Sequence, residues 1–383
     1  MNLPASPASR LLRKAQPTNS ETPSATGGKA GAIRVMLVDD SLTVRTIFRR
    51  MVESDNAMEV TATASSAERA ISQLKTTPVD VILLDLEMPG MGGLEGLPTI
   101  LQTAPDAQVL VVSSLTEDGA EATVAALSQG AADTMLKPRP GGFNDDYRSQ
   151  LLGKIRALGS KSDATEAPEP PAPAPKQEQR TRRPELIAIG ASTGGIHALN
   201  LMLRALTPDF DLPILITQHL PASFIPVFAR QIEVASGRLT KIAEAGTEIR
   251  RGEIAIATGH GHMIVRRIGD RLVMKSSNEP TSSGCLPSVD PMLTSASDAC
   301  DGKVLAIILS GMGRDGFLGA QHLAAAGGTI WAQNPETSAV WGMPGAVAKA
   351  GITSHIASPE LLGGRLMALY ARGASARTVK SAP

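Results

Sequence analysis

The chain has 383 residues, which is too many for one ordinary hydrophobic core, so the length predicts two domains. Apolar residues make up 42% and charged residues 19%, a balance that is typical of a folded globular protein and excludes a largely disordered one. Because 37 basic residues match 37 acidic ones, the net charge is zero, and we expect neither a nucleic-acid partner nor an anionic membrane partner.

No apolar run reaches the roughly 18 residues of a membrane span, so direct membrane insertion is not expected. The two cysteines, Cys285 and Cys300, lack the spacing of a metal motif. Without a recognisable secretion signal, we interpret them as reduced thiols of a cytoplasmic protein.

Residues 1–32 are rich in Ser, Pro, Ala and Thr. This composition predicts a disordered tail, although a Ser- and Arg-rich segment that is poor in acid is also typical of a transit peptide. A second such stretch, residues 159–184, contains five prolines within 167–175 and predicts an extended linker. The linker separates a first domain, 33–158, from a second domain, 185–375, and a short tail, 376–383, follows.

Both domains alternate short apolar runs with helix-length segments, which predicts an α/β fold built on doubly wound, mainly parallel sheets. The predicted strands of the first domain are 33–38, 59–63, 81–84, 109–112 and 134–136. Those of the second domain are 186–189, 214–217, 254–257, 304–309 and 329–332, with an antiparallel hairpin formed by 263–267 and 271–275. Functional groups in such folds collect beyond the carboxyl ends of the strands.

Charged side chains follow the predicted strands of the first domain. Asp39 and Asp40 follow the first strand, Asp85 the third and Lys137 the fifth, and Ser113 adds a hydroxyl at the end of the fourth. Three carboxylates beside a lysine predict a Mg²⁺ site next to a site for a phosphoryl group. The alternative is that each acid is an ordinary polar strand end, which the coincidence at four different strands disfavours.

These groups stand in residues 38–41, 84–89, 112–114 and 137–138, and the first domain resembles the receiver domain of two-component response regulators. The resemblance implies a (βα)5 fold in which Asp85 accepts a phosphoryl group from a histidine kinase. It also implies a switch hydroxyl at Ser113 and phosphate contact by Lys137. The implied Mg²⁺ ligands are Asp39, Asp40, Asp85 and the Glu87 carbonyl. Thr134 stands where receivers often carry an aromatic switch residue.

The second domain begins with the pattern Gly190-x-Ser192-x-Gly194, between the first apolar run and a helix-compatible segment, 197–206. A serine in a strand–turn–helix context of this kind is typical of a nucleophile, and the glycines permit the sharp turn. Serine is a weak nucleophile by itself, so this interpretation requires a histidine base and a group that orients it.

Two residues downstream fit those roles. His219 follows the strand predicted at 214–217, and Asp315 lies in a glycine-rich loop, 310–316, after another strand. An acid there could orient the imidazole, while free N–H groups of the loop could stabilise an oxyanion. The alternatives are a simple tight turn or a phosphate cradle, although neither a dinucleotide fingerprint nor a Walker lysine is present.

The second domain contains another histidine pattern. His260 and His262 form His-Gly-His, which would suit a metal pair, but no third ligand of matching spacing accompanies them. His197, on the helix after the nucleophile turn, is interpreted as an ordinary histidine.

The order Ser, His, Asp differs from the Ser, Asp, His order of α/β-hydrolases. The sequence instead resembles the CheB family of chemotaxis protein-glutamate methylesterases over both domains and the linker. The matching stretches are residues 189–195, 218–219, 287–290, 309–316, 332–333 and 342–344.

The resemblance implies Ser192 as nucleophile, His219 as base and Asp315 as orienting acid, with oxyanion donors at Met312 and around Thr193. It further implies that methyl-accepting chemoreceptors are the substrates, through glutamate methyl esters and glutamines, and that the ester chemistry needs no cofactor. The alternative is a receiver-controlled signalling module that is non-catalytic or binds a nucleotide.

Overall fold

The computed structural model describes residues 31–114, 116–138, 142–160 and 183–380, with side chains as far as 371. Residues 1–30 of the predicted tail and 161–182 of the predicted linker lie outside the described residues. Two α/β units flank this linker range, and both confirm the fold class that the sequence predicts.

The first unit is a five-stranded parallel sheet in the order β2-β1-β3-β4-β5, with five helices. Its three inner strands are mostly buried and apolar, as is expected of a parallel sheet covered on both faces. The strands are β1 (Ile33–Val38), β2 (Met58–Ala64), β3 (Val81–Asp85), β4 (Gln108–Ser113) and β5 (Asp133–Leu136). The helices are α1 (Leu42–Glu53), α2 (Ala67–Leu74), α3 (Gly92–Thr103), α4 (Glu117–Gln129) and α5 (Asp145–Gly159).

The second unit contains a seven-stranded parallel sheet and a small antiparallel sheet. The parallel strands, in spatial order, are β15 (His355–Ala357), β14 (Thr329–Gln333), β13 (Val304–Ile308), β6 (Leu186–Ala191), β7 (Ile214–Gln218), β10 (Ile254–Ile256) and β8 (Thr240–Ile242). The antiparallel strands are β11 (His262–Ile268), β12 (Arg271–Ser277) and β9 (Glu248–Ile249). The helices are α6 (Gly195–Leu203), α7 (Ile225–Ser236), α8 (Val289–Ala299), α9 (Phe317–Ala325), α10 (Met343–Lys349) and α11 (Pro359–Lys380).

Strand order determines where each sheet can hold a site. The chain starts each sheet on an inner strand, β1 or β6, and later strands are added on both sides. The carboxyl ends of β1 and β3 therefore meet at a crevice in the first unit, as do those of β6 and β13 in the second. β7, the other neighbour of β6, ends at the same edge of the second sheet.

Three edge strands, β8, β9 and β15, were not predicted. They have two or three residues each and are only partly buried, so they show neither a buried run nor an alternation. The predicted helix at 197–206 begins at Gly195 and ends at Leu203, and α11 continues through Lys380, into the range expected to form a tail. Among the described residues, no helix combines the length and the apolar character that crossing a bilayer requires.

Candidate active site

Ser192 lies immediately after β6, in a turn that leads into α6. Gly194 adopts the left-handed backbone conformation with φ of 79°, which favours glycine. A Cβ on Gly195 would lie 2.6 Å from both the Ala191 Cβ and the Gln218 Oε1, so this position has no room for a side chain. The turn is anchored where the Ser192 N–H donates to the Ser310 carbonyl at 3.0 Å. The hydroxyl is therefore presented at the carboxyl edge of the sheet.

The structure brings Ser192, His219 and Asp315 together from the ends of three adjacent strands. The His219 Nδ1 lies 3.1 Å from the Ser192 Oγ, and the Nε2 lies 2.7 Å from the Asp315 Oδ2. Because a carboxylate can only accept, the Nε2 carries the ring proton and the Nδ1 lone pair faces the hydroxyl. The imidazole is thus oriented to take a proton from Ser192.

Asp315 is almost fully buried, yet it remains ionised. Burial by itself favours the neutral acid, but hydrogen bonds to the carboxylate outweigh this effect and lower the pKa of Asp315 to about 2. The donors are His219, the Ser288 Oγ at 2.6 Å from Oδ1 and the Val289 N–H at 2.7 Å from Oδ2. Asp315 is therefore held as an oriented anion.

The same contacts favour the protonated form of His219. Burial lowers the pKa of this imidazole, but the hydrogen bond to Asp315 and the nearby Cys285 sulfur outweigh burial and raise the pKa to about 9. The ring is thus a stronger base than free imidazole, and it is stabilised once it has accepted a proton.

Ser288 and His262 support Asp315, and we assigned neither a role from the sequence. The Ser288 N–H donates to the His262 Nδ1 at 2.9 Å, and the His262 Nε2 donates to the Glu279 carbonyl at 2.9 Å. Both ring nitrogens are thus engaged in hydrogen bonds, and no metal-type cluster among the described residues includes His260 or His262. In the sequence, 287–290 stands out only through the resemblance to the CheB family, because a serine beside a proline carries no chemical signature of its own.

The loop after β13 packs against Ser192. A Cβ on Gly311 would lie 2.8 Å from the Ser192 Cβ, and the Gly311 N–H donates to the Val340 carbonyl at 3.0 Å. For the N–H groups of Met312 and Thr193, the contacts of the described residues include no acceptor. Among the described residues, neither N–H is therefore committed to an acceptor.

A second polar cluster lies at the carboxyl edge of the first sheet. Carboxylate oxygens of Asp39, Asp40 and Asp85 lie within 4.8 Å of one another, and the Lys137 Nζ is 2.5 Å from the Asp85 Oδ2. The Ser113 Oγ is buried without a hydrogen-bond partner among the described residues. An all-oxygen set with a spare hydroxyl fits a hard divalent cation and a phosphoryl group.

Asp85 itself is nearly inaccessible to solvent. Burial raises its pKa to about 6, although the hydrogen bond with Lys137 acts in the opposite direction. The Glu87 N–H donates to the Asp85 Oδ1 at 3.1 Å, and the Glu87 side chain accepts from the Ser114 hydroxyl. The Glu87 carboxylate is therefore turned towards β4, and only its backbone is available for the predicted ligand role.

The first unit packs directly against the nucleophile turn. α4 and the loop that precedes β5 contact α6 and α7, and a cluster of buried apolar residues continues across this boundary. The Gly194 N–H donates to the Ala132 carbonyl at 2.6 Å, and the Thr193 Oγ1 donates to the Asp133 Oδ2 at 2.5 Å. His197, interpreted as an ordinary histidine, contacts the Ser128 carbonyl across the interface at 3.0 Å. The two residues after Ser192 are thus hydrogen-bonded to the other domain.

Comparison with known proteins matches both units. Residues 187–366 match the CheB methylesterase family, and residues 35–142 match the response regulator receiver domain. A protein-glutamate methylesterase/protein-glutamine glutaminase from Paramagnetospirillum magneticum is 39% identical over 371 residues, which is 89% of this chain and 97% of the relative. A second protein with the same two activities in its name, from Caulobacter vibrioides, is 41% identical over 338 residues, which is 86% of this chain and 97% of the relative.

Among solved structures, the CheB methylesterase catalytic domain of Thermotoga maritima is 31% identical and covers 49% of this chain and 98% of its own, with a TM-score of 0.47. The relatives match over nearly their whole length, in both the receiver and the catalytic part. The chain therefore belongs to the CheB family, in which a response-regulator receiver domain is joined to a methylesterase domain.

Proposed function

We propose that this protein is a serine esterase that removes methyl groups from glutamate γ-esters of chemoreceptors and also deamidates receptor glutamines, under the control of receiver phosphorylation. The observation that carries the proposal is the continuous hydrogen-bonded series from Ser192 through His219 to Asp315, at 3.1 and 2.7 Å. The curated relatives, which are named for both activities, support the choice of substrate.

The reaction follows from the positions of these groups. The Ser192 Oγ attacks the ester carbonyl while the His219 Nδ1 takes its proton, and the ionised Asp315 stabilises the imidazolium. The N–H groups of Met312 and Thr193 donate to the oxyanion. The imidazolium then protonates the departing methoxide, which leaves as methanol, and a water molecule activated by the same nitrogen releases the glutamate. With glutamine as substrate the same steps release ammonia.

The receiver supplies the control. Asp85 accepts a phosphoryl group from a histidine kinase, with Lys137 and Ser113 contacting the phosphoryl oxygens. The carboxylates of Asp39, Asp40 and Asp85 and the Glu87 carbonyl would hold Mg²⁺, which would supply positive charge beside the phosphoryl group. Because a kinase and the signalling helices of receptors are the partners, we place the protein in the cytoplasm.

The decisive test measures methanol released from receptor membranes that carry labelled methyl groups. We expect release by the full chain, and we expect a fluorophosphonate probe to label Ser192. Ser192→Ala should lose both signals. Ser297→Ala is a matched control, because the Ser297 Oγ is buried without a hydrogen-bond partner among the described residues and its loss should cost little.

The same experiment separates the alternatives. A non-catalytic or nucleotide-binding module would give neither methanol nor probe labelling in a folded full-length chain, and that result would refute the proposal. Probe labelling without methanol release would support Ser192 as the nucleophile but refute receptor methyl esters as the substrate.

A further inference from the structure

Cys285 is a polar neighbour of the Ser192–His219–Asp315 series for which the proposed reaction has no use. Its Sγ, a ring nitrogen of His219 and a carboxylate oxygen of Asp315 all lie within 4.8 Å of one another. The thiol is half-buried and donates to the Ser283 carbonyl at 3.8 Å, and its sulfur lies beside the imidazole and the Asp315 carboxylate.

A thiolate, an imidazole and a carboxylate form a donor set typical of Zn²⁺. Bond lengths of about 2.0–2.3 Å and tetrahedral angles place zinc ligands roughly 3.3–3.7 Å apart, so the three atoms need to shift by about an ångström or less. Two anionic ligands also balance the charge of a divalent cation. The receiver cluster of Asp39, Asp40 and Asp85 differs, because its all-oxygen set favours Mg²⁺.

We propose that His219, Cys285 and Asp315 form a binding site for a thiophilic divalent cation such as Zn²⁺, and that occupancy inhibits the esterase. Binding forms the metal–sulfur bond and releases the thiol proton to solvent. The metal replaces the proton on the His219 Nε2, and that proton moves to the Nδ1. A neutral imidazole has one lone pair, so an Nδ1 that carries the ring proton cannot accept the proton of Ser192.

The site is incomplete with three protein ligands, as is usual where a fourth position stays open to water or to another oxygen. Inhibition is then reversible, because a chelator restores the lone pair without any covalent change in the protein.

Binding is measured without turnover. The full chain is stripped of metal, supplied with saturating Mg²⁺ to occupy the receiver acids, and titrated with Zn²⁺ against a chromophoric chelator. Cys285→Ser and Cys285→Ala remove the proposed ligand, and Cys300→Ala is the matched control, because Cys300 is a buried thiol at the end of α8. We expect wild type and Cys300→Ala to bind one more Zn²⁺ than the Cys285 variants, or to bind it more than about 10-fold more tightly, since even outer-shell changes cost 10–100-fold.

Co²⁺ provides an independent measurement, because coordination by a thiolate produces a charge-transfer band that the Cys285 variants should lack. Equal Zn²⁺ affinity in wild type and in both Cys285 variants would overturn the proposed site. The effect on turnover rests on the proposed esterase function, whereas these binding measurements do not. If Zn²⁺ binds through Cys285 but leaves methanol release unchanged, the inhibitory part of the inference is wrong.

Discussion

The hydrogen bond between Asp133 and Thr193 predicts that one substitution in the receiver raises the activity of the unphosphorylated protein. Asp133→Ala removes the acceptor of the Thr193 hydroxyl, at 2.5 Å, and also the ion pair with Lys154, at 2.6 Å. Lys154→Ala removes only the ion pair, which lies within the receiver. The two variants therefore differ by the contact between domains and by the hydrogen bond from the Thr134 N–H to the Asp133 Oδ1, at 2.7 Å, and neither alters Ser192.

The expected magnitude follows from the contact. Asp133 is largely buried, and a hydrogen bond to a charged group contributes about 1.5–3 kcal/mol. At 1.4 kcal/mol for each factor of ten, its loss shifts the equilibrium between docked and undocked domains by about 10–150-fold. The methanol release rate rises by this factor only while the docked form predominates. The rate of a catalytic fragment without the receiver, 183–383, is therefore the upper limit for Asp133→Ala.

The assay is methanol release from methylated receptor membranes without a phosphodonor. We expect Asp133→Ala to be faster than Lys154→Ala, which should stay close to wild type. Phosphodonor should accelerate wild type and have little effect on the fragment. If the fragment is fast but Asp133→Ala and Lys154→Ala release methanol at equal rates, the contact with Thr193 does not hold the domains together. A fragment no faster than the unphosphorylated chain would refute inhibition by docking altogether.

Further predictions concern the chemistry of each domain. Ser192→Ala should lower the methanol release rate by more than about a thousandfold while phosphorylation of Asp85 continues, and residual activity near wild type would exclude this nucleophile. Because imidazole is a base only when neutral, the raised pKa of His219 predicts that kcat/KM increases with pH until about pH 9, and a plateau reached by about pH 7 would contradict it. Ser288→Ala removes a charge-assisted hydrogen bond from Asp315, so we expect kcat to fall by about tenfold with KM unchanged, whereas an unaltered kcat would show that the bond does not support the triad. Asp85→Asn, or removal of Mg²⁺, should prevent formation of a base-labile acyl phosphate. If Asp85→Asn is phosphorylated as well as wild type, the phosphoacceptor is a residue other than Asp85.

The central strands could be predicted from the sequence because a parallel sheet buries both faces and so requires continuous apolar runs. The predicted first strand, 33–38, has the bounds of β1, and the predicted 304–309 differs from β13 by one residue. The strand-end rule also predicts which polar groups share an edge, and His219 and Asp315 lie beside Ser192 although they are distant in sequence.

Other parts of the site carry no pattern in the sequence. The sequence predicts no more than a reduced thiol at Cys285, because His219 and Asp315 lie 66 and 30 positions away and meet it only in the folded chain. The hydrogen bond from Ser288 to Asp315 could not be predicted for the same reason, since these two residues also meet only in the folded chain. Contacts between the domains depend on how two surfaces pack, which neither periodicity nor composition encodes, so Asp133 could not be singled out in advance.

β5 has only four residues, and its two ends lie next to the two different functional clusters. Asp133, at its start, contacts Thr193 next to Ser192, while Lys137, just beyond its end, contacts Asp85. At about 3.3 Å per residue, the two contacts are separated by roughly 13 Å of extended chain. An extended strand held in a sheet is stiff along its length. A displacement of Lys137 towards a phosphoryl group is therefore transmitted along β5 with little loss. We expect β5 to transmit a displacement of Lys137 directly to Asp133. The rate at which the protein responds to phosphorylation is then set by separation of the two domains and not by a longer series of movements within the receiver.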